Sequence, residues 1–495
     1  MTQESEFHRI EELIRKQLVE TGTPSLAVAV ARGGEIIWEE GFGWADRENL
    51  IPATAHTLYS LASISKPMTA TGVMVLKERG CLDLDRPIND YLGETKLRAW
   101  VGQAANATIR RVANHSSGLP LHYHFFHEDE GRRPPPMDET IRRYGNLVWA
   151  PGERCQYSNL GYGVLNYVIA RLSGKSYPDF MREEVFLPLG MTRASVGIGP
   201  GLEKHQAVRY GRDALPIPFY DFDHPGASAV FCSAHDLARF GMFHLQAHLP
   251  EQKAIISDPA IDAMQKPTMA CDDGRSGYGI AWKVVEDDAG YRSVGHTGGM
   301  GGVNTMLTMI PSERLAVVAL ANASSPLPGR VALEILSVLL PRYAEKHARI
   351  QARQKKEAET KAPAAAFKPP PGLLGKWTGN AHTSKGDVPF SLWFQEDGDV
   401  HAQVGSQLKT LLNDARLKNG WLSGQLMGDI GDEDANRLPY SLHLTIKWRG
   451  RALRGVVTAI SLPGQRYGNA LSYWIEMRKN IARRRTGKVV SRGRR

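Results

Sequence analysis

The chain has 495 residues, 42% of them hydrophobic and 23% charged, with a formal net charge of +9. This is the composition of an ordinary globular protein, and it excludes a collagenous, low-complexity or disulfide-dense chain. The charge is local: residues 477–495 carry nine Lys or Arg and no acid, so 9 − 9 leaves the other 476 residues neutral.

At the N-terminus no apolar run of signal-peptide type is present. Phe7, Ile10, Leu13, Ile14 and Leu18 recur at helical spacing, which predicts an amphipathic helix packed on a core. LAVAVAR (26–32) and EIIWEEG (35–41) flank Gly33-Gly34 and predict a β-hairpin. Ser65 to Arg79 reads as a helix ended by Gly80. From about 81 to 275, helices alternate with loops rich in Gly, Pro and His. YGIAWKVV (278–285), GVNTMLTMI (302–310) and RLAVVALAN (314–322) read as strands, and ALEILSVLLPRYAEK (332–346) as a closing helix. Strands at both ends with helices between predict one antiparallel sheet whose first and last strands meet.

Residues 351–371 turn charged and then Ala/Pro-rich, as a linker does. Beyond them, seven short alternating segments from GKWTGN (375–380) to LSYWIEM (471–477) predict an all-β barrel or sandwich. The expected organisation is therefore a domain at 1–350, a linker at 351–371, a β domain at 372–477 and a basic, solvated tail at 478–495. No apolar run approaches the ~20 residues that span a bilayer. Cys81, Cys155, Cys232 and Cys271 form no CxxC, so a cytoplasmic protein with free thiols is expected.

Ser63-Ile64-Ser65-Lys66 is an S-x-x-K. The spacing alone is weak, since Ser406 and Lys409 repeat it. Context separates them: Ser406 lies among short strands, whereas Ser63 precedes a helix, where positions three apart share a face. The helix N-terminus also offers free N–H groups to developing negative charge. Tyr157-Ser158-Asn159 is a Y-x-N on a loop entering a helix, with decoys at Tyr144/Asn146 and Tyr467/Asn469. His296-Thr297-Gly298-Gly299 precedes a strand, on an edge that glycine leaves bare. There is no G-x-S-x-G and no HExxH. His122, His124 and His127 form a histidine-rich loop read as pocket rim or solvated surface.

S-x-x-K, Y-x-[SN] and [KH]-T-G in this order are the signatures of penicillin-recognising serine enzymes. With NHSSGLP (114–120), PGERCQYSNLGYGVLNYVIARLSG (151–174) and PGASAVFCSAHDLARF (225–240), the chain from about 8 to 346 resembles the serine β-lactamase-related family. That family includes class C β-lactamases, D-Ala-D-Ala carboxypeptidases, D-aminopeptidases and β-lactamase-fold esterases. The resemblance implies an α+β fold, an antiparallel sheet flanked by helices with an all-helical subdomain, and a lipocalin-like β domain at 372–477.

It also implies acyl transfer through an acyl-enzyme. Ser63 is then the nucleophile, with Lys66 and Tyr157 as a coupled base. Ser63 and Gly299 N–H groups form the oxyanion hole, Asn159 bonds Lys66 and the substrate, and His296, Thr297 and Gly298 line the substrate site. His296 stands where β-lactamases place a lysine. Histidine is only partly charged near neutral pH, which favours an esterase or D-amino-acid peptidase over a β-lactamase or carboxypeptidase. A catalytically weak binding or scaffold protein is the reading from another class. The expected partners are a small ester, amide or short peptide, with no metal and no cofactor, and the basic tail is a lesser candidate for nucleic-acid contact.

Overall fold

In the computed structural model, which describes residues 3–359, 367–464 and 468–480, the two-glycine turn closes as the sequence requires. Gly33 and Gly34 both hold positive φ, 63° and 97°, and join strands Ser25–Arg32 and Glu35–Asp46. The chain divides into two units: residues 1–363 with 460–472, and residues 364–459 with 473–495.

The first unit is built on a nine-stranded sheet. In spatial order its strands are Met269–Ala270, Ser276–Tyr278, Lys283–Asp288, Tyr291–Met300, Val303–Ile310, Leu315–Ala321, Ser25–Arg32, Glu35–Asp46 and Ile51–Pro52. The first and last long strands do meet: Leu26 pairs with Ala321 and Arg32 with Leu315, antiparallel. Leu315–Ala321 is buried along its whole length, as expected of a strand covered on both faces. Phe7, Ile10 and Ile14 of the N-terminal helix Gln3–Thr21 share one core cluster with Leu327, Val331 and Ile335. The Ala234–His244 helix also packs on the central strands.

Two sequence expectations are refined. The strand predicted at 278–285 is broken between Tyr278 and Lys283, where Ala281 takes φ 65° and Ile280 N–H donates to Met264 O. The closing helix is two helices, Leu327–Leu339 and Pro341–Glu359, because the residue before a proline is pushed out of the helical region. The second of these runs into the segment read as a linker at 351–371.

Between the sheet strands lies the insertion that carries the helices. Helix Ser65–Glu78 is buried continuously from Ser65 to Leu76. Its buried hydroxyls are partnered: Thr69 Oγ1 reaches Gly226 O at 2.6 Å and Ser65 O at 3.0 Å, Thr71 Oγ1 donates to Pro67 O, and Ser65 Oγ accepts the Val230 N–H. Helix Asn159–Ser173 is capped by the Ser158 side chain and ends at Gly174 in the left-handed region.

The second unit is a nearly closed, barrel-like antiparallel sheet. Its nine strands run in the order Thr410–Leu411, Val400–Val404, Gly386–Phe394, Gly375–Thr383, Ala470–Lys479, Ala452–Ser461, Tyr440–Arg449, Trp421–Leu426 and Asn413–Lys418. Alternation sets the inner face: Phe390, Leu392 and Phe394 are buried while Ser391 and Trp393 are not. Ser406, the decoy serine, sits in a turn of this unit. The basic segment beyond Asn480 lies outside the described residues. No helix among the described residues is long and apolar enough to cross a membrane.

Candidate active site

Ser63 sits in a single 3₁₀ turn, Ala62–Ile64, that runs straight into the Ser65–Glu78 helix. Ala62 holds φ 48°, a left-handed value that costs a non-glycine residue about 1–3 kcal/mol and persists only where the surroundings impose it. Two bonds impose it here: Leu61 N–H donates to Val230 O at 2.8 Å, and Thr305 Oγ1 donates to Leu61 O at 2.9 Å. Strand Tyr291–Met300 presses on the same carbonyl. A Cβ on Gly298 would lie 2.1 Å from Leu61 O and 2.2 Å from Thr305 Oγ1, so only glycine fits. Gly299, the next residue, opens onto free space.

Lys66 is fully buried, one turn after Ser63. Its Nζ lies 3.0 Å from Ser63 Oγ and donates to the Ala227 carbonyl at 3.1 Å. Burial drives the amine well below the usual lysine range. No carboxylate among the described residues pairs with it to restore the charge. An amine shifted this way, with one N–H on Ala227 O, is suited to take up the Ser63 proton.

Tyr157 covers this pair, with Lys66 Nζ 4.7 Å from its ring centroid. Burial raises the phenol above its ordinary range, and a hydrogen bond with Ser63 works against that rise. The His115 ring lies tilted against Tyr157, 4.3 Å between centroids, and meets Tyr278 edge-on at 4.9 Å. His115 Nδ1 accepts the Ser158 N–H at 3.2 Å. Asn159 makes no bond to Lys66, contrary to expectation: its Nδ2 donates to His122 O at 2.9 Å. Its Oδ1 is buried without a partner among the described residues.

His296 is also buried, its ring 6.4 Å from that of Tyr157. Burial first, and Lys66 second, pull its pKa down to about 3. The ring is therefore neutral, and not the partial cation that exposed histidine would be. Thr297 and Gly299 alternate with it on the exposed face of the strand. Just beyond Met300, a cleft of about 200 Å³ opens between Tyr123, Ile217, Gly301, Gly302 and the 461–464 segment.

The histidine-rich loop is not solvated. His122, His124 and His127 are each 1% exposed, because the loop is extended and packs against Tyr220–Phe222, with Phe125 paired to Phe222.

The sequence model of the Beta-lactamase family matches residues 10–340, more than half of the chain. The chain belongs to the Beta-lactamase family. Members of that family are generally serine hydrolases. Penicillin-binding protein 4* of Bacillus subtilis (strain 168) is 28% identical over 316 residues, covering 60% of this chain and 67% of that protein. The unguisins hydrolase ungD' of Aspergillus campestris (strain IBT 28561) is 28% identical over 329 residues, covering 63% of this chain and 61% of that protein. Among solved structures, the octameric penicillin-binding protein homologue from Pyrococcus abyssi has a TM-score of 0.61 at 22% identity, over 95% of this chain and 99% of that one. That likeness is one of fold, and it extends through the second unit.

Within this Beta-lactamase-family site, two groups escape motif reading. His115 lies inside NHSSGLP, but nothing local says that its ring meets Tyr157. The Ala227 carbonyl that orients Lys66 is backbone, 161 residues away in sequence, and leaves no side-chain signature.

Proposed function

We propose that the chain is a serine hydrolase that cleaves small esters or amides, of esterase or D-amino-acid peptidase type, through an acyl-enzyme on Ser63. The observation that supports this most is the contact of the buried Lys66, its amine held well below the usual lysine range by burial, with Ser63 Oγ at 3.0 Å. The Ser63 proton passes to Lys66 Nζ as Oγ attacks the substrate carbonyl. The oxyanion forms between the Ser63 and Gly299 N–H groups, where one such donor is worth ~2.7–4 kcal/mol. Tyr157, a neutral phenol in the resting site, relays the proton from Lys66 to the leaving alkoxide or amine. Water then repeats the sequence to release the acid.

A β-lactamase or D-Ala-D-Ala carboxypeptidase reading has the Bacillus penicillin-binding relative in its favour. The neutral His296 speaks against it, since it offers no charge to a substrate carboxylate.

The test is turnover of p-nitrophenyl butyrate, nitrocefin and D-Ala-p-nitroanilide by wild type and Ser63→Ala, with intact-mass detection of a fluorophosphonate adduct. Ester or anilide turnover that vanishes in Ser63→Ala, with the adduct on Ser63, is the expected result. Equal background rates for both proteins on all three substrates, and no adduct, would remove the proposal.

A further inference from the structure

Behind the candidate catalytic groups lies a buried polar cluster that takes no part in the chemistry of Ser63. His122 comes from the loop that follows Gly118-Leu119-Pro120, and Asp223 and His224 from the segment after Tyr220–Phe222. One ligand atom from each of the three lies within 4.8 Å of the others. His122 Nε2 is 2.8 Å from Asp223 Oδ2, and His224 Nδ1 is 2.6 Å from Asp223 Oδ1. His124 Nδ1 stands 3.6 Å from the same Oδ2. The two histidine rings meet at 80° with centroids 5.8 Å apart, so they converge on the carboxylate from different directions.

The charge in this cluster needs an explanation. The Asp223 side chain has no exposed surface, and its ion-pair partners among the described residues are His122, His124 and His224. A carboxylate with no exposed surface is costly unless it is paired or coordinates a cation. Two imidazole nitrogens and a carboxylate oxygen are the ligand set of a borderline divalent ion.

We propose that His122, Asp223 and His224 bind one divalent transition-metal ion, zinc by preference, with His124 as the nearest fourth ligand. The ion clips two long loops together, and its role toward the active site is positioning. His122 O receives Asn159 Nδ2, and His224 leads directly into Pro225–Ser228, whose Ala227 carbonyl orients Lys66. Glu39, His56 and His235 form a second trio. It is part-exposed, so solvent already balances its charge, and it serves as the control.

The test is metal content of the full chain after purification and gel filtration through EDTA, read by plasma mass spectrometry. A parallel sample is refolded in Co²⁺ and read by its visible absorption. Expected are about one equivalent of zinc per chain and the visible absorption of tetrahedral rather than octahedral cobalt. Asp223→Asn and His122→Ala lose both, whereas His235→Ala keeps both. The wild-type cobalt spectrum stands even if the variants fail to fold. Metal-free wild type with no cobalt bands overturns the proposal, as does metal that persists in Asp223→Asn and is lost in His235→Ala. Ester turnover by Ser63→Ala plays no part in this readout, so the site and the hydrolase reading fail separately.

Discussion

His115 lays its ring 4.3 Å from that of Tyr157 and accepts the N–H of the next residue, Ser158, through Nδ1. One side chain thus contacts both the ring and the following backbone of Tyr157, the proposed proton relay. His115 is buried and lowered well below the usual histidine range by burial, then by Lys66 and His296, so it acts as a neutral acceptor. His115→Phe retains a ring and loses the acceptor. Ester kcat is expected to fall about 10²-fold, the cost of misplacing a catalytic group by about 1 Å, while KM changes little. The orphaned Ser158 N–H costs about 1–3 kcal/mol in denaturant unfolding. Unchanged kcat with lost stability would make His115 a core residue only.

Lys66 gives a prediction with a sign. Unfolded lysine titrates near ~10.4, and burial holds the folded amine well below that. Between the two values the unfolded chain carries a proton that the folded chain lacks, so stability rises with pH across that window. Lys66→Met removes the dependence. Relative to wild type its stability improves as pH falls below about 10, by up to ~1.4 kcal/mol per pH unit. Lys66→Arg keeps a permanent charge and no base, and turnover drops about 10²–10⁴-fold. A pH-independent stability difference between Lys66→Met and wild type would show that the amine is charged in the folded state.

The substrate preference proposed for the site turns on His296. Replacing the neutral imidazole by a cation in His296→Lys adds a charge near Tyr157. The ratio of kcat/KM for nitrocefin to that for p-nitrophenyl butyrate is expected to rise about tenfold or more, as one charge-assisted hydrogen bond would give. An unchanged ratio would mean that position 296 does not meet the substrate carboxylate.

Much of this architecture was legible locally. The Gly33-Gly34 hairpin, the Ser65–Glu78 helix and the alternation of Phe390, Leu392 and Phe394 all follow from patterns a few residues long. The proximity of Ser63 and Lys66 is of the same kind, since one helical turn sets it. What escaped depends on distant pairing. His122 and Asp223 are 101 residues apart, and histidines read as polar rim became buried because a second segment closed over them. The Asn159 amide meets His122 O and Lys66 meets the Ala227 carbonyl, a backbone group that no motif records.

Gly298 and Gly299 offer a matched pair, adjacent in one strand and identical in chemistry. A Cβ on Gly298 meets the Leu61 carbonyl at 2.1 Å and Thr305 Oγ1 at 2.2 Å, both tied into the turn that strains Ala62. Backbone must move to admit it, and the turn that moves is the one holding Ser63. Gly298→Ala is expected to lose turnover by about 10²-fold or more and to unfold at lower denaturant, by about 1–3 kcal/mol for overpacking. A Cβ on Gly299 meets nothing within 4 Å. Gly299→Ala therefore folds with stability within about 0.5 kcal/mol of wild type, and its effect is confined to KM for bulky acyl groups. Paired urea titrations and ester kinetics separate the two. Equal loss of stability in both would mean that the strand does not press on the Leu61–Ser63 turn.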